Sequence, residues 1–208
     1  MKTLKFDDAE KSPEENQSDW MSARRGIITG TRLKDLYSKR DTTKKKVGFY
    51  ELIAERLAVP RDDENPMDRG VRLEEEALVR FSKETKKKVD WGLVLWVRDD
   101  NAAIAVSPDG VGKDFAVEVK CLSSAKHIEA LLTQKIPDEY EMQIYQYFLV
   151  NDKLKTLYVV FYDPSLQFKD FFFLTVKRED IEEQIAEYLE YEKRVLSEVD
   201  GIVMQLSF

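Results

Sequence analysis

Two short segments carry side chains that could do chemistry together: Ser107-Pro108-Asp109-Gly110 and Glu118-Val119-Lys120. Alone, Ser-Pro-Asp-Gly is a good type I turn, with proline presetting its first corner. Glu118 and Lys120 ask for more. Strand side chains alternate, so Val117, Val119 and Cys121 share one face while Glu118 and Lys120 share the other. In a strand that reads as internal, this sets a carboxylate beside an ammonium, and buried charges are costly unless paired or bound to a metal. A structural salt bridge is one answer. A hairpin that returns Asp109 to Glu118 is another, because it brings two carboxylates and a lysine together. Two carboxylates can hold a hard divalent ion such as Mg²⁺, which keeps several waters and takes other ligands from a substrate phosphate. A lysine beside that ion can orient or deprotonate an attacking water and neutralise charge developing on phosphorus. These are the parts needed to hydrolyse a phosphodiester.

Composition narrows the metal chemistry further. With one cysteine, Cys121, and one histidine, His127, no Cys/His zinc site can be assembled within the chain, so any metal must be a hard one held by carboxylates. A single cysteine also excludes an intramolecular disulfide framework and fits a reducing cytoplasm. The longest apolar run, Leu157 to Tyr162, is six residues, far below the roughly 20 of a spanning helix. No membrane segment is expected, and the charged residues 1–19 do not read as a signal peptide. At 208 residues, with 43% hydrophobic and 35% charged, the chain is expected to form one globular domain over 1–208, behind a polar, non-periodic lead-in at 1–16 expected to be mobile.

Net charge is −7, which by itself argues against a polyanionic partner. Its distribution argues the other way. From Arg24 to Lys46 there are nine basic residues (Arg24, Arg25, Arg32, Lys34, Lys39, Arg40, Lys44, Lys45, Lys46) against Asp35 and Asp41, a local +7 that leaves −14 elsewhere. Such asymmetry suggests one face built for a polyanion, a solvated helix face being the plainer reading.

The elements that must position these residues can be read from periodicity. Ser18 can cap a short helix carrying Trp20 to Arg25, and Thr29 or Thr31 a second with Leu33, Leu36 and Tyr37 inward. Further helices are expected over Phe49–Leu57, Met67–Lys86, Ser123–Leu132, Asp138–Val150 and Glu179–Val199. In the fourth, Leu73, Ala77 and Phe81 recur at helical spacing; in the last, Ile181, Ile185, Leu189 and Leu196 do. Five strands are expected: Val89–Val97, Ala102–Val106, Phe115–Cys121, Leu157–Tyr162 and Phe171–Val176. This order predicts an α/β (α+β) fold, a central mixed sheet of about five strands flanked by helices. His127 has no partner in sequence and reads as a surface or packing residue. Gly110-Val111-Gly112-Lys113 lacks the spacing and hydroxyl of a P-loop. Cys121 reads as a small buried hydrophobe.

Pro-Asp, eight residues, then Glu-Val-Lys resembles the signature of the PD-(D/E)XK nuclease superfamily. Other residues narrow the resemblance. Trp20, Arg24, Gly26, Ile28, Thr29 and Thr31 read W-x-x-x-R-x-G-x-I-T-x-T; Gly70 and Glu74 read G-x-x-x-E; Gln143 and Tyr147 read Q-x-x-x-Y. In this order, with Ser-Pro-Asp-Gly and Glu-Val-Lys-Cys, they resemble the phage lambda exonuclease family of viral recombination nucleases, the YqaJ type, over about Trp20 to Asp163. One departure is Thr31, where that family has serine; the hydroxyl is kept and a methyl added.

The resemblance implies a restriction-endonuclease-like core and a Mg²⁺-dependent exonuclease that degrades one strand of linear double-stranded DNA from its 5′ end, leaving 3′ tails. It implies two ions per site, with Mn²⁺ substituting, the first held by Asp109, Glu118 and the Val119 carbonyl, with Glu74 near the second. Lys120 would position the water and Gln143 would order both. Arg24, Thr31 and Ser107 would hold the terminal 5′-phosphate, and Arg25, Arg32, Lys34, Lys44, Lys45 and Lys46 the DNA. It further implies a ring-shaped homotrimer, a single-strand annealing partner, and action in a bacterial cytoplasm by a phage- or prophage-encoded protein. For Glu74, within the acidic run Glu74-Glu75-Glu76, a solvated helix face is the alternative; for Gln143 and Tyr147 it is ordinary packing on the sheet. Two other readings stand beside this one: a restriction-like or junction-resolving endonuclease, and a catalytically silent DNA-binding module, which would be expected to have lost Asp109, Glu118 or Lys120.

Overall fold

The computed structural model describes residues 8–23, 47, 50, 51, 53, 54, 66–92 and 94–206. Contacts divide the chain into two compact units. One takes Met1–Asp62, Leu122–Leu132 and Asp163–Asp170, the other Asp63–Cys121, Thr133–Tyr162 and Phe171–Phe208.

In the first unit, helix α1 (Pro13–Ala23) begins before the expected cap at Ser18. The reason is local. Ser12 Oγ accepts from the Glu15 amide at 3.1 Å while Glu15 Oε2 accepts from the Ser12 amide at 2.8 Å, a capping box with proline at the first helical position. Tyr50, Glu51, Ile53 and Ala54 are helical, inside the stretch expected over Phe49–Leu57. Tyr50 and Ala54 pack with Ala125, Ile128 and Leu166 in a small core. His127 is fully buried in this unit, with Nε2 2.9 Å from the Lys169 carbonyl, so of the surface and packing roles read from the sequence it has the packing one.

The second unit holds the sheets. Helix α2 (Pro66–Thr85) buries Leu73, Ala77 and Phe81, as their spacing predicts. Strands β1 (Trp96–Arg98) and β2 (Asn101–Val106) form an antiparallel pair. Strands β3 (Gly110–Val111), β4 (Phe115–Lys120), β5 (Thr156–Tyr162) and β6 (Phe171–Lys177) form a mixed sheet in the order β3-β4-β5-β6, with only β4 and β5 parallel. A parallel pair needs a crossover. Helices α3 (Ser124–Thr133) and α4 (Glu141–Val150) lie in that connection. After β6, a 3₁₀ turn, Arg178–Asp180, leads into α5 (Glu182–Leu206), which runs beyond the expected Val199 and buries Ile185. Among the described residues, no helix is long and apolar enough to cross a membrane.

The mixed sheet flanked by helices agrees with the fold class read from the sequence, but the expected strand Val89–Val97 is divided. Asp90 pairs with Val111 at the edge of the larger sheet, and the chain then passes Gly92 into β1 of the smaller one. Glycine weakens a strand interior, and here it marks where the chain changes sheets. Gly110 has a different task. A Cβ there would stand 2.7 Å from Val89 Cγ1 and 2.8 Å from Leu78 Cδ2. Its missing side chain lets β3 sit close under α2, which sets the position of the preceding Asp109.

Candidate active site

β4 is central and buried along nearly its whole length. On one face Val117 and Val119 join Leu73, Ala77 and Phe81 of α2 in the main core. The other face carries Glu118, 3% exposed, and Lys120, and α4 supplies their partners. Glu118 Oε1 accepts from Lys120 Nζ at 2.7 Å and from Gln143 Nε2 at 2.8 Å, and Glu118 Oε2 accepts from the Tyr147 hydroxyl. Lys120 Nζ also donates to Gln143 Oε1 at 2.7 Å. Gln143 therefore donates to the carboxylate and accepts from the ammonium. The Tyr140 ring completes the surroundings of Lys120, its centroid 4.3 Å from Nζ.

The hairpin expected to return Asp109 to β4 is present: Gly110 pairs with Val117, and Asp109 Oδ2 accepts from the Val119 amide at 2.7 Å. Burial first, and then the neighbouring charge of Glu118, push the Asp109 carboxyl up to about 7, with Glu74 adding to the rise. Burial and Glu118 likewise raise Glu74 on α2, while Lys120 opposes them. Glu74 is half-buried and feels the charge of Glu118, while Glu75 and Glu76 beside it are exposed. Tyr147 is fully buried, and burial together with the Glu118 charge raises its phenol well above the ordinary value, so it remains a donor.

These carboxylates are hard oxygen donors, and the strain between Asp109 and Glu118 is of the kind that a divalent cation relieves. The donor set fits such an ion. Among the described residues no three Asp, Glu, His or Cys side chains close on one point.

The other expected residues are less concentrated. Ser107 is exposed on the turn before Asp109, and its hydroxyl donates to the Val94 carbonyl. Arg24, Arg25, Thr31, Arg32, Lys34, Lys44, Lys45 and Lys46 lie outside the described residues. Cys121 is half-buried beside the core. Two residues of the network had no site role in the sequence reading: Tyr147, there a motif position open to plain packing, and Tyr140. The signal for both was helical spacing, since position 140 at the N-cap of α4 and positions 143 and 147 within it are three and four residues apart.

Residues 19–153 match the YqaJ-like viral recombinase domain. The chain belongs to that family. Among solved structures, it is similar to LHK-Exo in complex with dAMP, at 27% identity and a TM-score of 0.58 over 91% of this chain and 98% of that one. It is also similar to the alkaline exonuclease LHK-Exo from Laribacter hongkongensis, at 26% identity and a TM-score of 0.54 over 91% of this chain and 99% of that one. No curated protein matches the chain in sequence. Asp109, Glu118, Lys120, Gln143 and Tyr147 all fall within the stretch matched to the YqaJ-like domain.

The buried end of this network makes a checkable demand. Tyr147→Phe removes the donor to Glu118 Oε2 and leaves a buried carboxylate oxygen short of a partner, at a cost of about 1–3 kcal/mol. Urea melts in chelator are expected to show that loss with an unchanged m-value. An unchanged midpoint would mean that the hydroxyl does not support Glu118.

Proposed function

We propose that this chain is a Mg²⁺-dependent exonuclease that degrades one strand of linear double-stranded DNA from its 5′ end, releases 5′-mononucleotides and leaves 3′ single-stranded tails for recombination by strand annealing. As a member of its family the chain is an exodeoxyribonuclease, and enzymes of the PD-(D/E)XK type generally use divalent metals. The observation that carries this proposal is the convergence of Asp109, Glu118 and Lys120, with Gln143 bridging the last two. The dAMP bound to LHK-Exo, a deoxynucleoside monophosphate, is of the product class proposed here.

Asp109, Glu118 and the Val119 carbonyl would hold the first ion and Glu74 would stand by the second, Mg²⁺ or in its place Mn²⁺, and the ions would stabilise negative charge building on the scissile phosphate. Lys120 directs a water at the phosphorus between the first and second nucleotides and offsets the charge that develops there. Gln143 holds Lys120 and Glu118 in register; Tyr147 keeps Glu118 oriented. The bond to the first nucleotide's 3′ oxygen breaks and that oxygen takes up a proton. The first nucleotide leaves with its own 5′-phosphate, and the new terminus carries the phosphate that was attacked.

Each turnover would thus refill a terminal phosphate pocket. Arg24 suits that pocket because a guanidinium can bond two phosphate oxygens and stays charged. Thr31 and Ser107 would add hydroxyls, Ser107 by turning its proton away from Val94. Arg25, Arg32, Lys34, Lys44, Lys45 and Lys46 would follow the duplex backbone. Residues 1–208 would act as one nuclease domain, in a ring-shaped homotrimer around the DNA and with a single-strand annealing protein as partner, in the cytoplasm of a bacterial host. Light scattering is expected to give a trimer, and a monomer at working concentration would contradict the ring.

The deciding experiment incubates end-labelled linear duplex and a covalently closed circle with Mg²⁺. Loss of the 5′-labelled strand as mononucleotide with an intact circle is the expected result; nicking of the circle would favour the endonuclease reading. Wild type should degrade 5′-phosphorylated duplex faster than 5′-hydroxyl duplex by on the order of tenfold or more, and Arg24→Ala should narrow the gap. Equal rates on both ends would remove the pocket and leave the metal site standing.

A further inference from the structure

Lys120 is the side chain on which the proposed hydrolysis turns, and lysine is a compact charge on a flexible four-carbon stem. Something must hold it still. Two of its three donors go to Glu118 Oε1 and Gln143 Oε1, each at 2.7 Å. Neither partner serves Lys120 alone: Glu118 is also a cation ligand in the proposed function, and Gln143 is also tied to Glu118. A further neighbour is the Tyr140 ring, with its centroid 4.3 Å from Nζ, inside the ~6 Å range over which a ring face attracts a cation. The Lys120 side chain is only 13% exposed, and such a contact strengthens when it is desolvated. The ring draws the charge as a whole and needs no directed N–H. It can therefore hold the ammonium while a donor turns to the attacking water.

Tyr140 is itself well placed. It closes the 3₁₀ turn Asp138–Tyr140, its amide donating to the Pro137 carbonyl at 2.9 Å, and it occupies the N-cap position of α4. Gln143 follows three residues later on the same helix face. The turn that starts α4 thus presents the ring and the amide to Lys120 together.

We infer that Tyr140 is a positioning residue for hydrolysis, its ring face holding the Lys120 ammonium at the site. The inference rests on the nuclease reading above and adds a residue to it. Kinetics on 5′-phosphorylated linear duplex test it in wild type, Tyr140→Phe, Tyr140→Leu and a series of fluorinated phenylalanines at position 140. Tyr140→Leu is expected to lower kcat about tenfold with KM changed by less than about twofold, while Tyr140→Phe keeps kcat within about twofold of wild type. Each added fluorine weakens the ring face and should lower kcat a further step, which packing alone would not do. Equal losses in the phenylalanine and leucine variants, or no loss in either, would overturn the inference.

A second measurement does not depend on activity. In protein labelled with ¹³C-lysine, the Lys120 ε-methylene signal, assigned by its loss in Lys120→Gln, should lie upfield through the ring current. It should stay there in Tyr140→Phe and return to the ordinary position in Tyr140→Leu. An unshifted signal in wild type would overturn the contact. A wild type that leaves linear duplex intact would overturn the nuclease reading and with it any role of Tyr140 in hydrolysis; an active wild type with an unaffected Tyr140→Leu would overturn the role of Tyr140 alone.

Discussion

Replacing Lys120 with alanine is expected to lower kcat on linear duplex DNA by about 10³-fold, while the protein still binds a divalent cation and a DNA end. The expectation follows from what Lys120 touches. Its ammonium bonds Glu118 and is shared with Gln143 and the Tyr140 ring. Asp109 and Glu118 remain in the variant, so the oxygen donors for a cation are untouched. The charge that would face the attacked phosphate is gone. Removing one partner of a buried pair also costs stability, because the other charge is left uncompensated. Lys120→Gln is therefore the companion variant: its amide can still donate to Glu118 Oε1 but carries no charge. Both variants should be inactive with Mg²⁺ and should bind end-labelled duplex with Ca²⁺, and the glutamine variant should melt closer to wild type. A Lys120→Gln protein with more than about a tenth of wild-type kcat would remove the lysine charge from the mechanism.

Asp109→Asn should do two opposite things, abolishing hydrolysis and raising stability in chelator. An unfolded aspartate titrates near 3.9, whereas burial and the Glu118 charge place the folded carboxyl at about 7. A raised carboxyl binds its proton more tightly in the folded state. The wild type therefore carries no penalty from this group below about pH 4, loses stability as the pH rises from about 4 to about 7, and carries the full penalty above that window. At about 1.4 kcal/mol per unit the penalty is capped near 4 kcal/mol. Solvent reaching the half-buried group screens part of it, so about 2 kcal/mol should return on substitution. For a chain of this size that corresponds to a melting temperature higher by about 4–8 °C at pH 8. The asparagine oxygen can still accept from the Val119 amide, so the hairpin is kept. At pH 4 the two proteins should melt together, and added divalent cation should close the gap at pH 8 by stabilising wild type alone. A variant that melts at or below wild type at pH 8 in chelator would show that burial and the Glu118 charge do not raise the Asp109 carboxyl in the folded protein.

The alternation of β4 was decided by the sequence itself. Period-two spacing puts Val117 and Val119 on one face and Glu118 and Lys120 on the other wherever the strand lies, and the turn before Gly110 limits how far Asp109 can be from them. The helical repeat of Leu73, Ala77 and Phe81 similarly dictated which side of α2 is buried. These are short-range properties, set by backbone geometry over a few residues. The partners of Glu118 are not: Gln143 and Tyr147 lie 25 and 29 residues further along the chain, and they reach it only because the β4–β5 crossover lays α4 over that face. The same packing drives Glu118 almost completely out of water, and burial of Asp109 first, with the Glu118 charge second, raises the Asp109 carboxyl. The division of Val89–Val97 between two sheets was likewise hidden, because an apolar run gives a strand's tendency to pair and not the identity of its neighbour. The residue types that could do the chemistry were therefore open to reading from the chain, whereas the dielectric, the hydrogen-bond partners and the ring beneath Lys120 were decided by which layers met, a matter of the whole chain's packing free energy rather than of any local pattern.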